Sequence, residues 1–250
     1  LVGSEMCIRD SIVGQAAAKP PVVASSEVKE KPKTLLLPEK YRYAEYAASY
    51  LEKRGISWEL ISFCISTGRL YESNPYHNVV FVGFDKQGKA RFACQRGIYD
   101  SRFHGDVNGS DKHYSFALPV NPKNSTVHLF ESAIDLLSYA TLYQLEGGDW
   151  RQLNLLSLAG VYQPKKVIEE SKLPAALTRY LEDYPHIKTV ALHLDNDCPG
   201  RLAAKAIQTI LPKEYEVKNR PPPWGKDVND YLCNRLGIPI PVSYTHLTLP

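Results

Sequence analysis

Apolar and polar positions follow two different rhythms along the chain, and the change between them falls near residue 126. In the earlier half, Ala44, Ala47, Ala48 and Leu51 recur at helical spacing and stop before Gly55, with Lys53 and Arg54 at the end where basic side chains favour a helix dipole. A second helix is predicted from Ser57, whose hydroxyl is a good cap, with Glu59 in its first turn. Two strands are predicted over 78–84 and 90–95, joined by Asp85, Lys86, Gln87 and Gly88, the last able to supply the positive φ of a hairpin turn. A further strand is expected over 113–118, after the Gly- and Asp-rich loop 105–111. Two helices followed by a meander make a small α+β subdomain.

From residue 126 strand and helix alternate: strands over 127–130, 153–158 and 189–194, helices over 133–145, 175–184 and 199–211. A fourth strand is expected over 214–218 and a closing helix over 228–236. Such alternation implies parallel strands joined by crossover helices on both faces of a sheet. The fold class is therefore α/β, a Rossmann-like parallel sheet with flanking helices, preceded by the α+β subdomain.

The remaining segments are of a different kind. Residues 12–40 are rich in Ala, Pro, Val, Lys and Ser, lack a sustained apolar period and read as a linker. Residues 1–11, LVGSEMCIRDS, and 242–250, VSYTHLTLP, resemble translated sequencing-adapter sequence and are expected to be artefacts. The domain plan is then 41–122 for the α+β part and 123–240 for the parallel sheet.

Composition narrows the function only a little. The formal net charge of +3 permits a nucleic-acid partner without arguing for one, because a binding patch depends on how charge is distributed. Cys64, Cys94, Cys198 and Cys233 are scattered, so neither a zinc knuckle nor a disulfide framework is readable, and free thiols suit the cytoplasm. No apolar run approaches the roughly 20 residues of a membrane span, so no membrane partner is expected.

Acidic residues carry the chemistry. In an open parallel sheet, ligands bind beyond the carboxyl ends of the strands. Glu131 follows the strand ending in VHLF, and Asp195 and Asp197 follow VALHL. If those strands are neighbours, three carboxylates meet at one rim, and Mg2+ prefers such oxygen ligands while keeping several waters. Pro199 and Gly200 suit a helix start close to a bound phosphate. A D-x-D pair taken alone is more often an ordinary turn, and His128 and His193, lying within strands, read as hydrogen-bonded core residues.

At FESAIDLLSYATL, LSLAG, ALHLDNDCPGRLAAKAI and GKDVNDYL the chain resembles the Toprim domain shared by bacterial primases, topoisomerases and some nucleases. The preceding YLEKRGISWELISFCISTGRL, NVVFVGFDKQGKARFACQRGI and GSDKHYSF are similar to the segment that precedes Toprim in primases. They resemble still more the uncharacterised domain paired with Toprim in proteins of conjugative transposons, plasmids and other bacterial mobile elements.

The resemblance implies an Mg2+-dependent nucleic-acid enzyme, with Mn2+ as the alternative ion and DNA or RNA as partner, working with replication or conjugation proteins of a mobile element. Carried over, it makes Glu131, Asp195 and Asp197 catalytic, adds Asp227 to the same three as metal ligands, and places Arg96, Lys112 and Lys226 against nucleic acid. Asp135, one helical turn beyond Glu131, faces either that site or solvent. Ser132 and Asn196 stand where many primases place Gly, which bears on polymerisation more than on metal binding. Three activities stay open: primase-like nucleotidyl transfer, phosphodiester cleavage by a Toprim nuclease, and metal-dependent nucleic-acid binding without catalysis.

Overall fold

A computed structural model of the chain describes residues 34–99 and 103–239. The expectations for 1–11, for residues 12–33 of the linker and for 242–250 lie outside the described residues. Two helices open the fold, α1 (Glu45–Glu52) and α2 (Trp58–Ser66), the second capped by Ser57, whose side chain accepts from the Leu60 amide. An antiparallel sheet follows in the order β1 (Leu70–Glu72), β2 (Val79–Phe84), β3 (Ala90–Arg96) and β4 (His104–Asp106). Gly88, at φ +76°, turns the chain between β2 and β3. On the incoming side, the amides of Leu36 and Tyr41 donate to the carbonyls of Asn108 and Glu72.

Two details depart from the sequence reading. The strand expected over 113–118 is instead a 3-10 turn, Lys112–Tyr114, because the Asp111 side chain accepts from the His113 amide and starts a turn. Only a single bridge, Ala117 to Leu156, marks extended chain beyond it. The fourth strand of the sheet overlaps the start of the stretch read as loop, where residues 104–106 pair with Cys94, Gln95 and Arg96.

The second sheet is parallel, in the order β6 (Asn154–Ser157), β5 (Thr126–Phe130), β7 (Thr189–Leu192), β8 (Glu216–Asn219). Four helices flank it: α3 (Ala133–Leu145), α4 (Ala175–Asp183), α5 (Cys198–Ile210) and α6 (Val228–Leu236). The alternation of side chains along each strand sorts the two faces. Val127, Leu129, Val190 and Leu192 pack with Leu177 of α4 and Ala203, Ala204 and Ile207 of α5. Phe130 and Leu155 face the other way, against Leu136 and Leu137 of α3 and Val228 and Leu232 of α6. That second core is continuous with Leu51, Leu60, Ile61 and Phe81 of the preceding subdomain, so one apolar body supports both sheets. Among the described residues no helix is long and apolar enough to cross a membrane.

Candidate active site

The register between β5 and β7, with Leu129 opposite Leu192, makes the two central strands end together. The residues that leave those ends are Glu131 and Asp195, and the Asp195 amide donates to Glu131 Oε1 at 3.2 Å. Glu131 is buried, and its carbonyl in turn accepts from Gly160 in the loop after β6. That loop carries Ala159 at φ 58°, a left-handed conformation that costs a non-glycine residue roughly 1–2 kcal/mol. Backbone strain of this kind is held where surrounding contacts over-determine the chain.

Helix starts position the other carboxylates. Asp197 caps α5, its Oδ1 accepting from the Gly200 amide at 2.9 Å, with Pro in the first turn. Gly200 is required there by close approach, since a Cβ would collide with the Asp195 carbonyl oxygen and lie 2.9 Å from Glu131 Oε1. Ser132 caps α3: its hydroxyl accepts from the Asp135 amide at 3.2 Å and donates to Asp135 Oδ2 at 2.5 Å. Asp135 is buried and faces the site, with its Oδ1 also accepting from the Asn229 amide at 3.3 Å. Asp227 caps α6 through the Asp230 amide at 2.7 Å.

Lys226 completes the rim. Its Nζ lies 2.9 Å from Asp195 Oδ2 and 3.5 Å from Asp197 Oδ2. The main chain around it is fixed, because the Asn196 amide donates to the Lys226 carbonyl at 2.6 Å and the Lys226 amide donates to Asp230 Oδ2 at 3.0 Å.

These carboxylates are short of positive charge. Burial, then the Asp195 charge, pushes Glu131 up to about 7. Burial also raises Asp195, against the lowering pull of Lys226. Asp135 and Asp227 are both raised, each by burial first and each by neighbouring carboxylates. Lys226 is raised in return, by its hydrogen bond to Asp195.

A cavity of about 380 Å³ opens in front of the rim. Glu131, Asp135, Asp195, Lys226 and Asp227 line one side, and Arg54, Arg96, His104 and Asp106 come from the helical and antiparallel elements. Arg96 Nε donates to the Tyr50 hydroxyl at 3.3 Å, and the Arg54 guanidinium lies over the same ring, 4.9 Å from its centroid. Arg54 Nη1 also donates to Asn229 Oδ1 at 2.9 Å, while Asn229 Nδ2 donates to the Arg54 carbonyl at 2.9 Å. Lys112 is not part of this lining: it pairs with Asp106 at 3.0 Å.

Sequence reasoning missed Arg54 and Asn229. Arg54 carries the ordinary signature of a basic residue ending a helix, and its partner is 175 positions away. The only available hint was Asn229 itself, an amide placed just after the Lys226–Asp227 pair.

The donor set suits a hard divalent cation: every candidate ligand is a carboxylate oxygen, and the neighbouring Cys198 thiol is exposed and accepts from Arg201. The side chains nevertheless form no ready-made cage. Among the described residues no group of three or more His, Cys, Asp or Glu side chains is drawn together as a cation site. The hydrogen bonds show why: Glu131 Oε1 is turned to the Asp195 amide, Asp197 Oδ1 to its helix, and an ammonium stands between the aspartates. The fit is therefore to a hydrated ion such as Mg2+, which takes a few carboxylates and keeps its waters.

Comparison with known proteins identifies the fold that carries this arrangement. The family model described as Toprim-like matches residues 128–232, and one described as a protein of unknown function, DUF3991, matches 49–122. Residues 128–232 form a Toprim domain. None of the curated proteins compared with the chain matches it. Among solved structures, the primase fragment of the bacteriophage T7 primase-helicase is 20% identical with a TM-score of 0.52, over 84% of this chain and 79% of that one. A bacteriophage T7 complex of the lagging-strand DNA polymerase with primase domains bound to an RNA/DNA hybrid and dTTP matches at 20% identity and 0.51, over 74% and 83%. A primase catalytic domain bound to single-stranded DNA matches at 16% and 0.50, over 78% and 71%. At such identities the likeness is one of fold: the Toprim domain and the subdomain before it share the primase arrangement.

Proposed function

We propose that the chain is a magnesium-dependent nucleic-acid enzyme that carries out primase-like nucleotidyl transfer. The observation that carries this reading is the meeting of Glu131 and Asp195 beyond the ends of adjacent parallel strands, facing a cavity partly lined by arginines, with Asp197 joined to Asp195 through the Lys226 ammonium. The Toprim domain and the primase-like fold of the whole described region support it.

On this reading Asp195, Asp197, Glu131 and Asp227 would hold the metal. When bound, it would supply positive charge to stabilise a phosphoryl oxygen of the reacting group. Glu131, lifted towards neutrality by burial, positions a hydroxyl or relays its proton. Arg54, Arg96 and Lys226 bind phosphate groups, and Lys112 serves the more distant part of the strand, outside the cavity. Charge stabilisation and positioning supply most of the rate, because phosphoryl transfer asks little covalent chemistry of the protein. The proposed setting is the bacterial cytoplasm, in replication or transfer of a mobile element.

The test is incubation of the protein with nucleoside triphosphates, a short single-stranded DNA template and Mg2+. Template-dependent dinucleotide synthesis that disappears in Asp195→Asn supports the reading. Cleavage of an end-labelled oligonucleotide in its place makes the protein a nuclease, and nucleic-acid binding unaffected by Asp195→Asn, with neither reaction, makes it an adaptor.

A further inference from the structure

Lys226 is tied by its main chain, while its side chain reaches from a partly exposed stem onto the aspartates. Its carbonyl accepts from Asn196 within the D-x-D turn and its amide donates to Asp230, so the backbone cannot follow a movement of the side chain. The side chain itself is 57% exposed, yet its ammonium is drawn onto the Oδ2 atoms of both Asp195 and Asp197. An ammonium contacts carboxylate oxygen near 2.9 Å, whereas Mg2+ binds it at about 2.0–2.1 Å with waters filling the remaining octahedral positions. The two cations cannot both occupy the space between the same oxygens.

We infer that Lys226 is an internal counter-ion that competes with the divalent cation for Asp195 and Asp197, is displaced when the ion binds, and thereby sets metal affinity. The inference rests on the reading that these carboxylates hold such an ion. It gives the described geometry a purpose: half-buried carboxylates gathered before metal loading are partly neutralised by a tethered charge. It also couples two events, because Lys226 lines the cavity, so the released ammonium stays close to where a phosphate enters. Metal loading then creates a phosphate-binding group as it fills the site.

The test titrates Mg2+ into wild type, Lys226→Met and Asp195→Asn by calorimetry, and follows the Lys226 Nζ resonance of 15N-labelled wild type during the same titration. Lys226→Met is expected to bind Mg2+ about tenfold more tightly, the effect of removing one competing charge at contact distance. In wild type, the Nζ resonance is expected to shift with the binding isotherm as the ammonium leaves the aspartates. A Lys226→Met affinity equal to or weaker than wild type overturns the inference. So does an Nζ resonance that stays put while Mg2+ saturates an Asp195-dependent site, since affinity would then respond to charge without displacement. Absence of saturable Mg2+ binding in every protein removes the carboxylate reading itself, and the role of Lys226 with it. The resonance experiment needs no variant, so it stays decisive if Lys226→Met does not fold.

Discussion

The chain in and just beyond β5 and β7 presents inward polar residues twice, and the two presentations have opposite characters. His128 and His193 lie on the face towards α3, with His128 Nδ1 2.9 Å from His193 Nε2 and the rings of Tyr139 and Phe130 packed around His193. Burial holds both imidazoles neutral, His128 down at about 4 and His193 at about 3. A few residues further along, Glu131 leaves the end of β5 buried and Asp195 follows β7 half-buried against Lys226, both as acids raised first by burial. The histidines are a finished structural pair, while on the proposed reading the carboxylates would take a cation. Burial alone does not separate structural from functional polar groups; what separates them is whether the surrounding chain already satisfies them.

Substitutions at the two places are expected to break in different ways. The largest effect belongs to Asp195→Asn, expected to lower any Mg2+-dependent phosphoryl-transfer rate by at least about a hundredfold and to abolish Mg2+ binding, without loss of thermal stability. Calorimetric titration and a melting curve check both halves, and a variant that melts early instead would move Asp195 into the structural class. His193→Ala is expected to do the reverse, costing about 2–4 kcal/mol through lost packing among Phe130, Tyr139 and His128. Denaturant unfolding measures that cost, and Mg2+ affinity should be unchanged within about twofold.

The histidine pair also sets a pH dependence. The folded protein holds both imidazoles below their usual 6.5, so the unfolded chain binds more protons as the solution is acidified. The pair's contribution to stability is therefore complete above about 6.5 and falls as pH drops from there towards about 4, by roughly 1.4 kcal/mol per pH unit for each histidine, while the raised carboxyls of Glu131 and Asp135 work in the opposite sense over the same range. Melting temperature measured from pH 7 to 4.5 should decline less steeply when both positions are Phe. The smallest effect is Ser132→Ala, which removes the cap of α3 and a hydroxyl contact to Asp135, at about 1 kcal/mol in the same unfolding assay.

How much of this the sequence disclosed follows from how local each signal is. The helix over 133–145 was legible to the residue because Ser132 caps it and its apolar positions are dense. The parallel sheet was legible from alternation, and the acidic rim from strand-end logic plus the resemblance. The strand β4 was hidden, since His104, Gly105 and Asp106 carry no apolar alternation, and its pairing partner fixes its conformation from outside. The start of the strand expected over 113–118 was misread because the Asp111 cap competes with extended chain at short range. Arg54 was invisible as a site residue, since Tyr50 and Asn229, which hold it, meet only once the two sheets have packed.

That packing bears on how the protein can be dissected. The matches at 49–122 and 128–232 divide the chain into two named regions, yet Leu51, Leu60 and Ile61 sit in one apolar body with Leu136, Leu137 and Leu232. A scissor cut at the seam would leave each fragment with a greasy wall where its companion had been, prone to clumping. The regions are therefore expected to melt together as one unit, and any swap of one between relatives must bring a matching wall with it.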